Sequence, residues 1–234
     1  MKVYRMPEKF KERLPKDRNI TLLALEGSRA LGIENPNCDW DYRGVYVAKN
    51  EELLSLNQPP EQLEYNDKEM DYVIFEVGKF VRLALQCNPS IIGMLFNDKY
   101  CIRTDIGDLL VKNRNLFLSQ RARKTFGGYA LSQVLYLKRN LKFPDGKKLE
   151  KHVRHIFRLF DQGQELLETG KITVRLANPE KYYKIAERAN DVEYIYRLFE
   201  ERDKEFQACK SILPEKPDYY YANKILLKIR GFSI

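Results

Sequence analysis

The sequence predicts an α+β fold, a mixed sheet with helices followed by an all-helical C-terminal region. Two observations predict it. Three β-rich apolar runs fall within the first 80 residues, and helical periodicity takes over after about residue 105. The change of pattern divides the chain into an expected α/β domain over residues 1–110 and a helical domain over 111–234.

The elements follow in order. Residues 8–14 form a short helix stopped by Pro15. Residues 20–26 (ITLLALE) are a buried-type strand ended by Gly27, and residues 40–47 are a second strand. Residues 51–56 give a helical turn before Pro59 and Pro60. Residues 70–77 (MDYVIFEV) are a third strand, passing into an amphipathic helix that carries Phe80, Leu83 and Ala84. Asn88-Pro89-Ser90 breaks that helix and starts a short apolar one over 91–96. Asp105 caps a helix reaching Val111. Residues 119–141 form a long basic helix with Gly127 and Gly128 inside it. Phe143-Pro144-Asp145-Gly146 is a turn. A second long helix spans 147–168 and ends at Gly170. Residues 172–176 are extended, and helices follow over 179–190, 192–213 and 219–230.

Composition narrows the function classes. At 44% hydrophobic and 32% charged residues, the 234-residue chain is too apolar for disorder and too charged for a membrane bundle. No apolar run approaches the roughly 20 residues that span a bilayer. The opening Met1-Lys2-Val3-Tyr4-Arg5 lacks the apolar core of a secretory leader, so a cytoplasmic location is expected. Cys38, Cys87, Cys101 and Cys209 form no CxxC pair, which fits reduced thiols. With His152 and His155 they make no zinc set at usual spacing.

Charge is uneven. Thirteen of the 41 Lys and Arg residues lie within residues 112–158, against Asp145 and Glu150 alone. That segment is net +11 and the rest of the chain −3. Such a segment suits a polyanion, namely RNA, DNA or a nucleoside triphosphate; it equally suits a solvated helical face.

Walker-type, dinucleotide, zincin and nucleophile-elbow motifs are absent. One window stands out: residues 20–47, ITLLALEGSRALGIENPNCDWDYRGVYV. An apolar strand runs into Gly27-Ser28, and about ten residues later Asp39 and Asp41 open the next strand, with Arg43 two positions on. Gly27 permits a backbone that brings phosphate near main-chain N–H groups, and Ser28 adds a hydroxyl donor. Asp39, Asp41 and Arg43 alternate by two and so share one strand face. Two carboxylates about 4 Å apart repel by roughly 4 kcal/mol at an effective dielectric of 20, so such a pair persists where a cation neutralises it. Oxygen-only ligands favour Mg²⁺ or Mn²⁺.

This pattern, h-G-S followed by D-h-D-h, resembles the signature of the DNA polymerase beta nucleotidyltransferase superfamily. The longer run Gly27-Ser28-Arg29-Ala30-Leu31-Gly32 with Asp39-Trp40-Asp41-Tyr42-Arg43-Gly44-Val45-Tyr46 resembles one branch, the RNA repair pathway DNA polymerase beta family. Three later stretches are similar to that branch: Lys79-Phe80-Val81-Arg82-Leu83 with Asn88-Pro89, Lys151 with His155-Ile156-Phe157-Arg158-Leu159, and Leu213-Pro214-Glu215-Lys216-Pro217-Asp218. Two positions depart from it. Cys38 stands where a small hydroxyl residue commonly precedes the first Asp, and no acid follows the Asn-Pro turn near Gly93.

The resemblance implies a polymerase-beta-like nucleotidyltransferase fold and a third carboxylate on a neighbouring strand. Glu64, Asp67, Glu69 and Asp71 are candidates; Asp71 is chosen because it opens the apolar strand, and Glu69 shares its parity. It further implies two divalent ions held by Asp39, Asp41 and Asp71, with Asp71 orienting or deprotonating the acceptor hydroxyl. Ser28 and the amides after Gly27 would hold the outer phosphates of an NTP, and Arg29 and Arg43 would offset developing charge. In the helical half, Lys151, His155 and Arg158 share one face at i, i+4 and i+7 and are expected to meet nucleotide phosphates or an anionic acceptor. The expected function is Mg²⁺-dependent transfer of a nucleoside monophosphate, with RNA as the leading acceptor. A protein or small-molecule acceptor, or a nucleic-acid-binding module without turnover, are the alternatives. Tyr219-Tyr220-Tyr221 is a candidate base-stacking surface.

Overall fold

The computed structural model describes residues 4–36, 38–140 and 146–232. The turn expected at Phe143, Pro144 and Asp145 lies outside the described residues. Among them, the elements run α1 (Glu8–Lys11), β1 (Asn19–Leu25), α2 (Gly27–Leu31), β2 (Trp40–Val47), α3 (Asn50–Leu54), β3 (Gln62–Asn66), β4 (Met70–Glu76), α4 (Val77–Leu85), α5 (Pro89–Leu95), β5 (Tyr100–Arg103) and α6 (Asp105–Lys112). After a 3-10 turn, Arg114–Phe117, come α7 (Arg121–Asn140), α8 (Gly146–Thr169), α9 (Glu180–Ala186), α10 (Val192–Ala208) and α11 (Tyr219–Ile229). The expected α+β architecture is present. The described residues form two compact units, one from within 1–85, 90–117 and 217–234, the other from 86–89 and 118–216.

The first unit is built on a five-stranded sheet of order β3-β4-β2-β1-β5. Strands β2 and β4 run parallel, with Asp41 opposite Asp71, while the other neighbours pair antiparallel. Alternation decides the faces. Tyr42 and Tyr46 of β2, Met70, Tyr72 and Ile74 of β4, and Leu23 and Leu25 of β1 enter one core, closed by Met6 and by Phe10 of α1. Asp41, Arg43 and Asp71 take the opposite face.

Two strands went unread in the sequence. Both β3 and β5 are edge strands, short and half-exposed, so they lack the apolar run that marks β1 and β4. The expected cap of α6 shifts by one: Thr104 Oγ1 accepts from Gly107 N at 3.3 Å, and Asp105 is the first helical residue. Residues 172–176 form no strand; there Thr173 is held by Glu165, which accepts from its N–H at 2.9 Å and its hydroxyl at 2.6 Å.

Although last in sequence, α11 belongs to the sheet-containing unit. Ala222 and Ile229 are buried, and Arg230 Nη2 meets Glu76 Oε2 at 3.1 Å, with the two side chains 13% and 8% exposed. Glu76 also accepts from Gly78 N at 2.6 Å. Breaking a buried pair leaves an uncompensated charge in a low-dielectric setting. Arg230→Ala is therefore expected to lower unfolding free energy by about 3–5 kcal/mol. A loss under 1 kcal/mol in urea titration would mean the pair is solvated.

The second unit packs α7 and α8 along most of their lengths, with α10 against both. Leu149, Val153, Ile156, Phe160 and Leu167 of α8 are buried at spacings of three, four and seven, which keeps them on one stripe. Phe126, Ala130, Val134 and Leu137 of α7, the helix packed against α8, are buried as well. A Cβ on Gly163 would lie 3.0 Å from Phe126, so this position needs the missing side chain. Phe160 reaches Phe199 and Phe206 of α10, with centroids 5.5 Å away in each case.

Candidate active site

Three chain segments meet at one end of the sheet. The antiparallel register sets Leu25, the last residue of β1, opposite Tyr42. Gly27 therefore emerges beside the start of β2, and Glu26 N–H donates to Asp41 O at 2.8 Å. The parallel register sets the start of β4 at the same end. Adjacent strands lie about 4.8 Å apart, so the Asp41 and Asp71 side chains rise side by side from one face.

Gly27 has φ +63°, and a Cβ there would lie 1.8 Å from Asp41 Oδ2. The Asp41 carboxylate occupies the space a side chain at position 27 would take. Ser28 sits half-buried in the first turn of α2, and its carbonyl accepts from Ile33 N at 3.0 Å. Asp39 is exposed, just before β2.

Arg43 Nη1 donates to Asp71 Oδ1 at 2.8 Å, and Asn66 Nδ2 donates to Asp71 Oδ2 at 2.9 Å. Asn66 lies on β3 in register with Asp71. The sequence does not single it out, because the segment between Pro59-Pro60 and β4 shows four acids and no apolar run. The available signal was the alternation of Leu63 and Tyr65 across β3. The other candidate acids have structural partners. Glu69 pairs with Lys9 and with Arg13 at 2.7 Å, and these hold its carboxyl below the usual range, Lys9 foremost. Asp67 accepts from Tyr65 Oη at 2.7 Å and from Glu69 N and Met70 N at 2.8 and 2.9 Å, shaping the turn into β4. Glu64 accepts from Gln62.

Arg29 is committed to the chain itself. Its guanidinium lies 4.1 Å from the Trp40 ring centroid and donates to Cys38 O at 2.8 Å and Asp39 O at 3.1 Å. It thereby fixes the path of the backbone into Asp39. Lys99 Nζ donates to Arg29 O at 2.6 Å.

The donor chemistry fits a hard divalent cation: carboxylate oxygens alone, two of them in register beside a glycine that leaves room. The convergence is incomplete. Among the described residues no group of three His, Cys, Asp or Glu side chains stands close enough to hold a metal ion. Asp71 would exchange its contact with Arg43 for the ion.

The second unit carries Lys151, His155 and Arg158 on α8. Lys151 is exposed; Arg158 donates to Gln162 Oε1 at 2.8 Å and faces His155 Nδ1 at 2.5 Å. Burial pushes the His155 pKa down to about 3, and Arg158 acts in the same direction. His155 is thus neutral near pH 7. Its stabilising contribution is complete above the unfolded value near 6.5 and is lost as pH falls toward 3. Wild type is expected to lose about 1.4 kcal/mol per pH unit below 6.5 relative to His155→Gln, seen by comparing melting from pH 7 to 5. Parallel pH profiles would contradict the assignment.

Several cations of the basic segment serve the fold. Arg123 donates to Phe206 O at 2.6 Å, Gln207 O at 2.8 Å and Cys209 O at 2.8 Å, closing the end of α10. Arg154 lies near Glu150 at 3.5 Å, and Lys138 stands 3.6 Å above the Tyr196 ring.

A strand ending in Gly-Ser beside carboxylates on two neighbouring strands is the arrangement expected of the polymerase-beta-like class. The chain belongs to the RNA repair pathway DNA polymerase beta family, whose model matches residues 5–211. No curated protein matches it. Among solved structures, a nucleotidyltransferase-like protein from Exiguobacterium sibiricum 255-15 is similar over 96% of this chain and 78% of its own, at 11% identity and a TM-score of 0.37. That likeness is too slight to carry functional weight. No helix among the described residues is long and apolar enough to cross a membrane.

Proposed function

We propose that the protein is a nucleotidyltransferase that moves a nucleoside monophosphate from an NTP to an acceptor hydroxyl, with RNA as acceptor. The observation that carries this reading is the in-register pairing of Asp41 and Asp71 beside Gly27, with Asp39 just ahead of β2. The family to which the chain belongs supports it.

Asp39, Asp41 and Asp71 would hold Mg²⁺ or Mn²⁺, which when bound lowers the pKa of the acceptor hydroxyl and offsets charge on the phosphates. Asp71 takes or orients the acceptor proton, and Asn66 keeps its carboxylate aimed along the face. The acceptor oxygen attacks the α-phosphorus, the bond to the β-phosphate bridging oxygen breaks, and pyrophosphate leaves. Ser28 Oγ and the amides of the first turn of α2 donate to the departing phosphates. Arg43, once released from Asp71, stands two residues along the same face and offsets their charge. In the helical unit, Lys151 and Arg158 contact an anionic ligand.

The test is incubation with each α-labelled NTP, Mg²⁺ or Mn²⁺, and total RNA. Label retained by RNA is expected. Binding of single-stranded RNA should weaken with salt at a log–log slope near −3.5, about −0.7 for each of about five phosphate contacts. Label on protein or a small molecule would move the acceptor, and no label with retained nucleotide binding would make the chain a binding module.

A further inference from the structure

The opposite surface of α11 from its buried residues is neither core nor part of the carboxylate site. Tyr219, Tyr220 and Tyr221 are 48%, 63% and 54% exposed on its first turn. Large aromatic side chains bury 150–250 Å² when they serve a core, and these do not. Ala222 and Ile229 anchor the helix instead. Helical spacing puts Tyr220, Tyr221, Lys224 and Lys228 along one stripe. Tyr220 and Tyr221 meet edge to face with centroids 5.2 Å apart, and Lys224 Nζ lies 4.8 Å from the Tyr220 centroid. Beside them a cleft of about 500 Å³ is lined by Tyr221, Lys224, Ile225, Lys228, Asn113 and Leu116. Asp218 also borders the cleft, where its carboxylate caps the helix by accepting from Tyr221 N at 3.0 Å.

From this surface we infer that α11 is a docking face for single-stranded RNA, with bases stacking on Tyr220 and Tyr221 and phosphates meeting Lys224 and Lys228. The inference rests on the reading of RNA as the acceptor and adds where the strand is held. Charge and shape both favour this occupant. Aromatic faces accept any base, ammonium groups a short reach away neutralise phosphates, and the cleft admits a nucleotide-sized group. A duplex hides its base faces and so matches the surface poorly.

The experiment is fluorescence anisotropy with a labelled 12-nucleotide single-stranded RNA and the full chain. Tyr220→Ala/Tyr221→Ala should weaken binding by about 10- to 100-fold, the loss of one or two stacked bases. Tyr220→Phe/Tyr221→Phe keeps the rings and should restore it. Lys224→Gln/Lys228→Gln should flatten the salt slope by about 1.4, two contacts' worth. Because the tyrosines are exposed, melting and Mn²⁺-dependent nucleotide binding should match wild type. Wild-type RNA affinity in the double alanine variant overturns this face while leaving the acceptor reading intact. RNA binding lost in that variant, with transfer to RNA absent even in wild type, supports the face and removes the acceptor reading. Preferential capture of an acidic protein, unchanged by competing RNA, also overturns the face.

Discussion

Asp41→Ala is expected to lower nucleotidyl transfer by at least about 1000-fold and to leave the fold intact. The magnitude follows from the charge stabilisation a held metal ion supplies, several kcal/mol at about 1.4 kcal/mol per tenfold in rate. Removing one of two in-register carboxylates leaves that ion incompletely held. The fold should survive because the backbone carbonyl of Asp41, which accepts from Glu26 N at 2.8 Å, is kept in alanine. Stability in chelator should stay close to wild type, since Arg43 and Asn66 still hold the Asp71 carboxylate. Asp39→Ala should lower transfer in the same direction, although Asp39 is exposed and precedes the strand. Initial rates with each labelled NTP, paired with melting in EDTA and in Mn²⁺, check both halves. Wild-type turnover in purified Asp41→Ala would remove the carboxylates from the reaction.

How much of this was legible in the sequence depends on what each residue answers to. Strands β1, β2 and β4 are central, so burial writes an apolar run into them, and their bounds are readable within a residue. The edge strands answer chiefly to backbone pairing, which leaves little trace in composition. Losing β3 from the reading also hid Asn66, whose importance comes from lying opposite Asp71. Gly27, Ser28, Asp39, Asp41 and Arg43 were visible because they are local to one turn and one strand. Pairing Asp71 with Asp41 required the register of two strands joined through α3 and β3, and alternation cannot supply register. Arg29 illustrates the converse. Its charge suggested phosphate, while its planar guanidinium is stacked on Trp40 and hydrogen-bonded to carbonyls from the same loop. Periodicity also placed Lys151, His155 and Arg158 together, but the charge state of His155 depends on burial that only the packed unit reveals.

Gly27→Ala is expected to lower both stability and transfer, and to do so through Asp41. Two costs add. At φ +63° a residue with a Cβ is disfavoured by about 1–2 kcal/mol. The new methyl would then stand 1.8 Å from Asp41 Oδ2 and 2.6 Å from its Cγ, so the carboxylate must leave the position it shares with Asp71. A misplacement of about 1 Å at a reacting centre costs about 100-fold, and at least that loss of transfer is expected. A double-mutant cycle separates the two costs. In Gly27→Ala/Asp41→Ala the contacts at 1.8 and 2.6 Å vanish and the one with Cβ at 3.0 Å remains. The double variant should therefore be more stable than the sum of the singles by about 1–3 kcal/mol, the coupling expected of residues in contact. Urea titration of the four proteins measures it. Strict additivity would mean that the strained backbone alone explains the glycine, and that Asp41 does not owe its position to the space position 27 leaves open.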